Sequence, residues 1–167
     1  MLRAASVAAL LLACGGRQVE TTTETVDFYG VVVDVPKGTS SASTATSSPL
    51  NIPGAQGVTP GIVLIHPGTG DFHVEVQKLP SALSVDDMKA TLAALPAASR
   101  IEGRVTDGGW AVEYGWKNEG APPARVYLRY RHIGAEHYQC QYDDGGTEKL
   151  DVAEAICHSL RPRPGAK

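Results

Sequence analysis

The chain has 167 residues, with 15 basic against 18 acidic side chains and a net charge of −3. That length supports a single domain with a sizeable core. The charges are interspersed and form no basic stripe, which argues against nucleic acid as a partner.

Met1-Leu2-Arg3 is a short n-region with one positive charge, and Ala4–Leu12 is apolar apart from Ser6. Nine residues make a helix of only about 14 Å, well short of the ~30 Å hydrocarbon core. The segment therefore reads as the h-region of a secretory signal. A plain secretory signal, or a buried helix that contains Cys14, would be the competing readings. Leu11-Leu12-Ala13-Cys14 resembles the lipobox of bacterial lipoproteins, in which a small residue precedes the cysteine. In that family the thiol receives diacylglycerol, the signal is cut before the cysteine, and the new amine is often acylated. The resemblance thus implies Cys14 as the lipid attachment site and first residue of the mature chain, with a membrane as partner. Two or more chains, at ~0.8 kcal/mol per buried methylene, anchor stably where one does not. Gly15 stands where enteric bacteria place the aspartate that favours inner-membrane retention, so the resemblance implies the outer membrane. Removing residues 1–13 takes Arg3 away and leaves 14 basic against 18 acidic residues, a charge of −4.

Residues 14–25 read as the lipidated cysteine and a polar tether of at most ~40 Å. The domain proper is expected over 26–161, beginning with a strand in "FYGVVVDVP", and 162–167 reads as a frayed tail. Thr39–Ser48 holds eight hydroxyl residues in ten, and the stretch to Gly61 adds three prolines and three glycines. Residues 37–61 are therefore expected as one long loop with little apolar surface to bury, either a solvated insertion or a functional segment.

"GIVLIHPGTGDFHVEVQKL" reads as a hairpin whose return strand alternates Phe72, Val74 and Val76 with polar residues. Ser84 is a natural N-cap, with Asp87 in capping-box spacing. Val85, Met88, Leu92 and Leu95 give the helix an apolar face, and Pro96 closes it. Two more hairpins follow, turning at Asp107-Gly108-Gly109 and around Gly134. A last helix is expected from near Thr147, with Leu150, Ala153, Ile156, Cys157 and Leu160 inward. The order predicts an α+β fold: an antiparallel sheet of about six to seven strands covered by two helices. That order, with Val31–Gly38 "VVVDVPKG" opening the domain, is similar to PsbP-like domains over about residues 26–161. The resemblance implies action by binding or assembly. Thr39 replaces the aromatic that often follows the glycine, and the hydroxyl-rich segment is inserted there.

With Cys14 assigned to lipid, Cys140 and Cys157 remain as an even pair in an oxidising compartment, and a disulfide is the expected use. Zinc bound by His137, Cys140, Cys157 and His158, or free thiols, are the alternatives. Strand parity places His137 and Cys140 on opposite faces, which opposes both a zinc set and a Cys140–His137 nucleophile pair. His66 and His73 flank the first hairpin turn as a further metal candidate, and Asp143-Asp144 could serve calcium or simply complement a helix N-terminus. Trp110, Val112, Tyr114 and Trp116 share one strand face, either as core or as an aromatic floor for a ligand. Trp110 and Trp116 are thus candidate binding residues. These readings converge on a lipid-anchored envelope domain without catalysis, metal or cofactor, which binds an envelope protein or component. The alternative is a small envelope hydrolase or metal-dependent enzyme with a dispersed site.

Overall fold

The computed structural model describes residues 23–47, 58–65, 73–117, 119–120, 123–143 and 150–165. Cys14, His66, Asp144, Thr147 and the tether before Thr23 lie outside them. Among the described residues ten strands and two helices run, in chain order, β1 (Thr23–Phe28), β2 (Val31–Pro36), β3 (Ser40–Ser47), β4 (Val58–Ile65), β5 (His73–Leu79), α1 (Val85–Ala93), β6 (Ala98–Thr106), β7 (Gly109–Trp116), β8 (Ala124–Ile133), β9 (Glu136–Asp143), α2 (Leu150–Ser159) and β10 (Arg161–Pro162). Strands β3-β4-β5-β9-β8-β7-β6 form a seven-stranded sheet, and β1-β2-β10 form a small second one. Every pairing is antiparallel. This is the α+β architecture expected from the element order, with the second sheet added.

The large sheet buries both faces because its strands alternate two apolar sets. On one face Ile62, Leu64, Val74, Val76, Cys140 and Tyr142 meet β2 and the inner side of α2. On the other, Trp110, Val112, Tyr114, Val126, Leu128 and Tyr130 pack under Met88 and Leu92 of α1. The cap of α1 forms as its sequence dictates: the Asp87 backbone N–H donates to Ser84 Oγ at 3.0 Å, and that hydroxyl donates to Asp87 Oδ2 at 2.6 Å. Cys140 in β9 and Cys157 in α2 are disulfide-bonded with their Cα atoms 5.5 Å apart. Closing a loop of this size removes about 3 kcal/mol of unfolded-state freedom.

Three boundaries differ from the sequence expectation. The opening strand is two: "TETVDF" and "VVVDVP" fold into a hairpin at Tyr29 (φ 41) and Gly30 (φ 88). Two successive positive-φ residues match the twist of a two-residue hairpin, and Tyr29 carries no such signal in its side chain. The first pairing reaches back to Thr23, inside the segment read as tether.

The expected loop over 37–61 instead contains β3 and the first half of β4, paired without interruption from Ser40↔Ile65 to Ser47↔Val58. Its ladder is main-chain, so it does not require apolar side chains. Ser40 Oγ adds a bond to the Ile65 carbonyl at 3.1 Å. Finally, the tail is not wholly frayed, because Arg161 and Pro162 pair with Val32 and Val31. The two edges of the large sheet are unlike. β6 is charged at Arg100, Glu102 and Arg104 and carries an irregularity between Ser99 and Glu102, whereas β3 reads "SSASTATS".

Candidate functional site

The two tryptophans occupy different depths. Trp110 is 4% exposed. Its indole N–H donates to the Leu83 carbonyl at 2.7 Å, and its ring stacks on Tyr130 at 5.3 Å between centroids. Trp116 is half-buried at the other end of β7 and meets Tyr114 edge-on at 6.3 Å. Both belong to the α1-side cluster, so this face of β7 is core with Trp116 at its margin.

The opposite face at the Trp116 end is open. A cleft of about 610 Å³ lies there, lined by Arg100, Glu102, Glu113, Gly115, Pro123 and Arg125 among others. Its volume falls in the range of small-ligand sites. Three local features build it. Arg100 and Ile101 together oppose the single residue Tyr114, since the register runs from Ser99↔Gly115 to Glu102↔Glu113. That extra residue is the two-against-one arrangement of a bulge, which disrupts the ladder locally. Gly115 keeps the floor free of side chain, and a Cβ there would come 2.8 Å from Ser99 Oγ. Arg125 and Glu113, cross-strand neighbours on one face, form an ion pair along the wall, with Arg125 Nε–H donating to Glu113 Oε1 at 3.1 Å.

Arg100 holds φ at 51°, the left-handed region that glycine normally occupies. For a residue with a Cβ this costs roughly 1–2 kcal/mol. Among the described residues, the Arg100 and Glu102 side chains make no hydrogen bond or ion pair. Among the described residues the lining thus combines one bound Arg–Glu pair with one unpaired cation and one unpaired anion. It can hold a polar or charged group of a partner. Sequence reading located the aromatic end of β7 but favoured the Trp116 face. The glycine between Tyr114 and Trp116 was the available signal for the other face.

Of the remaining candidates, those whose side chains are described do not converge, and the His66–His73 and Asp143–Asp144 pairs lie outside them. Cys140 and Cys157 are joined to each other. His137 sits on the other face of β9, where Nδ1 is 2.8 Å from the Tyr130 hydroxyl and its ring stacks against His132 at 5.4 Å. His158 faces Tyr127, with Nε2 3.3 Å from the phenol oxygen.

No family model matches the chain, and no curated protein is similar to it at a significant level. Among solved structures it is similar to the solution structure of cyanobacterial PsbP (CyanoP) from Synechocystis sp. PCC 6803. The TM-score is 0.54 at 14% identity, over 90% of this chain and 98% of that one. At that identity the likeness establishes the fold: the chain folds as a PsbP-like α+β domain.

Proposed function

We propose that this chain is a lipid-anchored envelope lipoprotein whose PsbP-like domain binds or assembles with an envelope partner without catalysing a reaction. The cleft at the Trp116 end of β7 is its contact site. The observation that carries this reading is Arg100, a charge unpaired among the described residues and held in a costly backbone conformation in the lining of a ligand-sized cleft. Backbone strain of this kind persists where function uses it. The similarity to cyanobacterial PsbP and the Leu11–Cys14 signal support the same reading from fold and sequence.

Two measurements test it. Intact mass of membrane-extracted protein should show loss of residues 1–13 and acyl addition at Cys14, and Cys14→Ser should release the protein from membranes. A soluble product with a free Cys14 thiol would overturn the anchor. Arg100→Gly should raise stability by about 1 kcal/mol by relieving the left-handed strain, while weakening capture of envelope partners by the mature protein. Capture unchanged in the stabilised variant would remove the cleft from the interface.

A further inference from the structure

Under the C-terminal half of α2, cationic side chains gather on one face of the sheet. Strand register aligns Arg104 (β6), Ala111 (β7) and Arg129 (β8) in one row, and Thr106, Gly109 and Arg131 in the next. Arg129 is 7% exposed, yet its Nε and Nη1 have no hydrogen-bond partner. Arg131 Nε and Thr106 Oγ1 are likewise buried and unpartnered. Unpaired N–H groups of a buried guanidinium carry a desolvation cost larger than that of a neutral donor.

The rim of this cluster is accessible and shares a single acceptor. Arg104 Nη2 donates to Glu154 Oε1 at 2.8 Å, and His158 Nε2 lies 3.6 Å from the same oxygen. The side chains of Arg104 and His158 are 55% and 49% exposed. Arg129 acts electrostatically on Tyr127, whose hydroxyl lies 3.3 Å from His158 Nε2. Arg131 Nη1 donates to the Leu160 carbonyl just beyond α2 and feels Asp107 from the neighbouring turn. Three guanidiniums and the Glu154 carboxylate therefore all act on His158, Arg104 is the one paired with Glu154, and Asp107 acts on Arg131. Burial first, then the Arg129 charge, hold the His158 imidazole below its usual range against the opposing pull of Glu154.

We propose that Arg104, Arg129, Arg131 and His158 form a receptor site for a phosphate-type oxyanion, at which the Glu154 carboxylate is the internal occupant that the ligand displaces. Guanidiniums present paired donors that match phosphate oxygens, and a tetrahedral anion can accept from several directions at once. Swinging Glu154 aside opens the rim toward Arg129, whose spare donors are then used. The chemistry is shared by free phosphate and by phospholipid headgroups. The site is separate from the β7 cleft, so the two can fail independently.

The test is thermal melting and titration of the full chain with inorganic phosphate against sodium chloride of equal ionic strength. A saturable rise in melting temperature, specific to phosphate, is expected. Arg104→Gln, at an exposed position, should weaken phosphate binding about tenfold or more, whereas Glu154→Gln should strengthen it by removing the competitor. Bound phosphate should also raise the pKa of the His158 imidazole, read by NMR. Phosphate acting only as chloride does, or binding unchanged by Arg104→Gln, would overturn the site; weaker binding in Glu154→Gln would overturn the displacement. Vesicles of phosphatidylglycerol in phosphatidylcholine separate the sources. Binding that inorganic phosphate competes away assigns a headgroup ligand, and phosphate binding without vesicle binding assigns the free anion.

Discussion

Single side chains at the two ends of β7 carry different loads. Trp110 fills the α1-side core and satisfies the Leu83 carbonyl, so Trp110→Ala opens a cavity and strands an acceptor. A cost of about 3–5 kcal/mol is expected for such a truncation. Trp116 lies at the core margin, and Trp116→Ala should cost nearer 1–2 kcal/mol, the part of its area that is out of water. Denaturant melts of the two variants check the order, and equal losses would contradict this division of the strand. At this scale the sequence was readable where chemistry acts locally. The Ser84 cap, the Asp107-Gly108 turn and the parity that separates His137 from Cys140 all follow from neighbours within a few residues. Tyr29 and Arg100, the two non-glycine residues at positive φ among the described residues, were not readable. Their conformations are imposed by strand pairing on either side, and nothing in a tyrosine or arginine side chain asks for them.

Among elements, β3 shows where composition misleads. Serine, threonine and alanine bury little, which made 37–61 look like a loop. In the fold that composition suits an edge strand, since the β4 main chain supplies the bonds. The consequence for mutagenesis reverses. Deleting residues 39–48 would be harmless to a loop, but here it removes β3, the outer of the two partners of β4, and exposes the edge of a strand containing Ile62 and Leu64. At about 1 kcal/mol net per hydrogen bond, a loss of 2 kcal/mol or more is expected. It should come with aggregation through the new apolar edge, measured as a lower melting temperature and increased light scattering. A melting temperature equal to that of the intact chain would show that β3 contributes no stability. The disulfide illustrates the opposite case. Counting cysteines and assigning Cys14 elsewhere was enough to anticipate the pair, and both bonded cysteines are fully buried between β9 and α2.

For the whole molecule, the second sheet closes the chain on itself. β10 follows α2 and pairs with β2 near the start of the domain, and this long-range contact has no local signature. Three interactions mark the junction. Arg161 Nη1 donates to Asp34 Oδ2 at 2.6 Å and Nη2 donates to Oδ1 at 2.9 Å, while Ser159 Oγ accepts from the Asp34 N–H at 2.8 Å. The Arg161 hydrogen bonds hold the Asp34 carboxyl below its ordinary value of 3.8, against a smaller opposing effect of burial. A depressed carboxylate pKa gives stability that is present above the unfolded-state value and lost as pH falls through the folded-state value. Asp34→Asn should therefore melt below the parent at neutral pH, and the gap should close in acid. Paired melts between neutrality and about pH 2.5 read this directly. A gap independent of pH would assign the effect to packing.

The contrast between the two edges of the large sheet limits how copies of the molecule can add to one another. Head-to-tail growth of an antiparallel sheet needs two receptive borders, one to give and one to take. β6, with its bulge and its row of charges, refuses a neighbour, whereas β3 presents eight uncharged residues in unbroken register. Any union of two large sheets through their described edges must then be β3 against β3, a two-fold arrangement that consumes both receptive borders at once. Such an association closes at a pair, and leaves the large sheet no receptive border from which a fibre could grow.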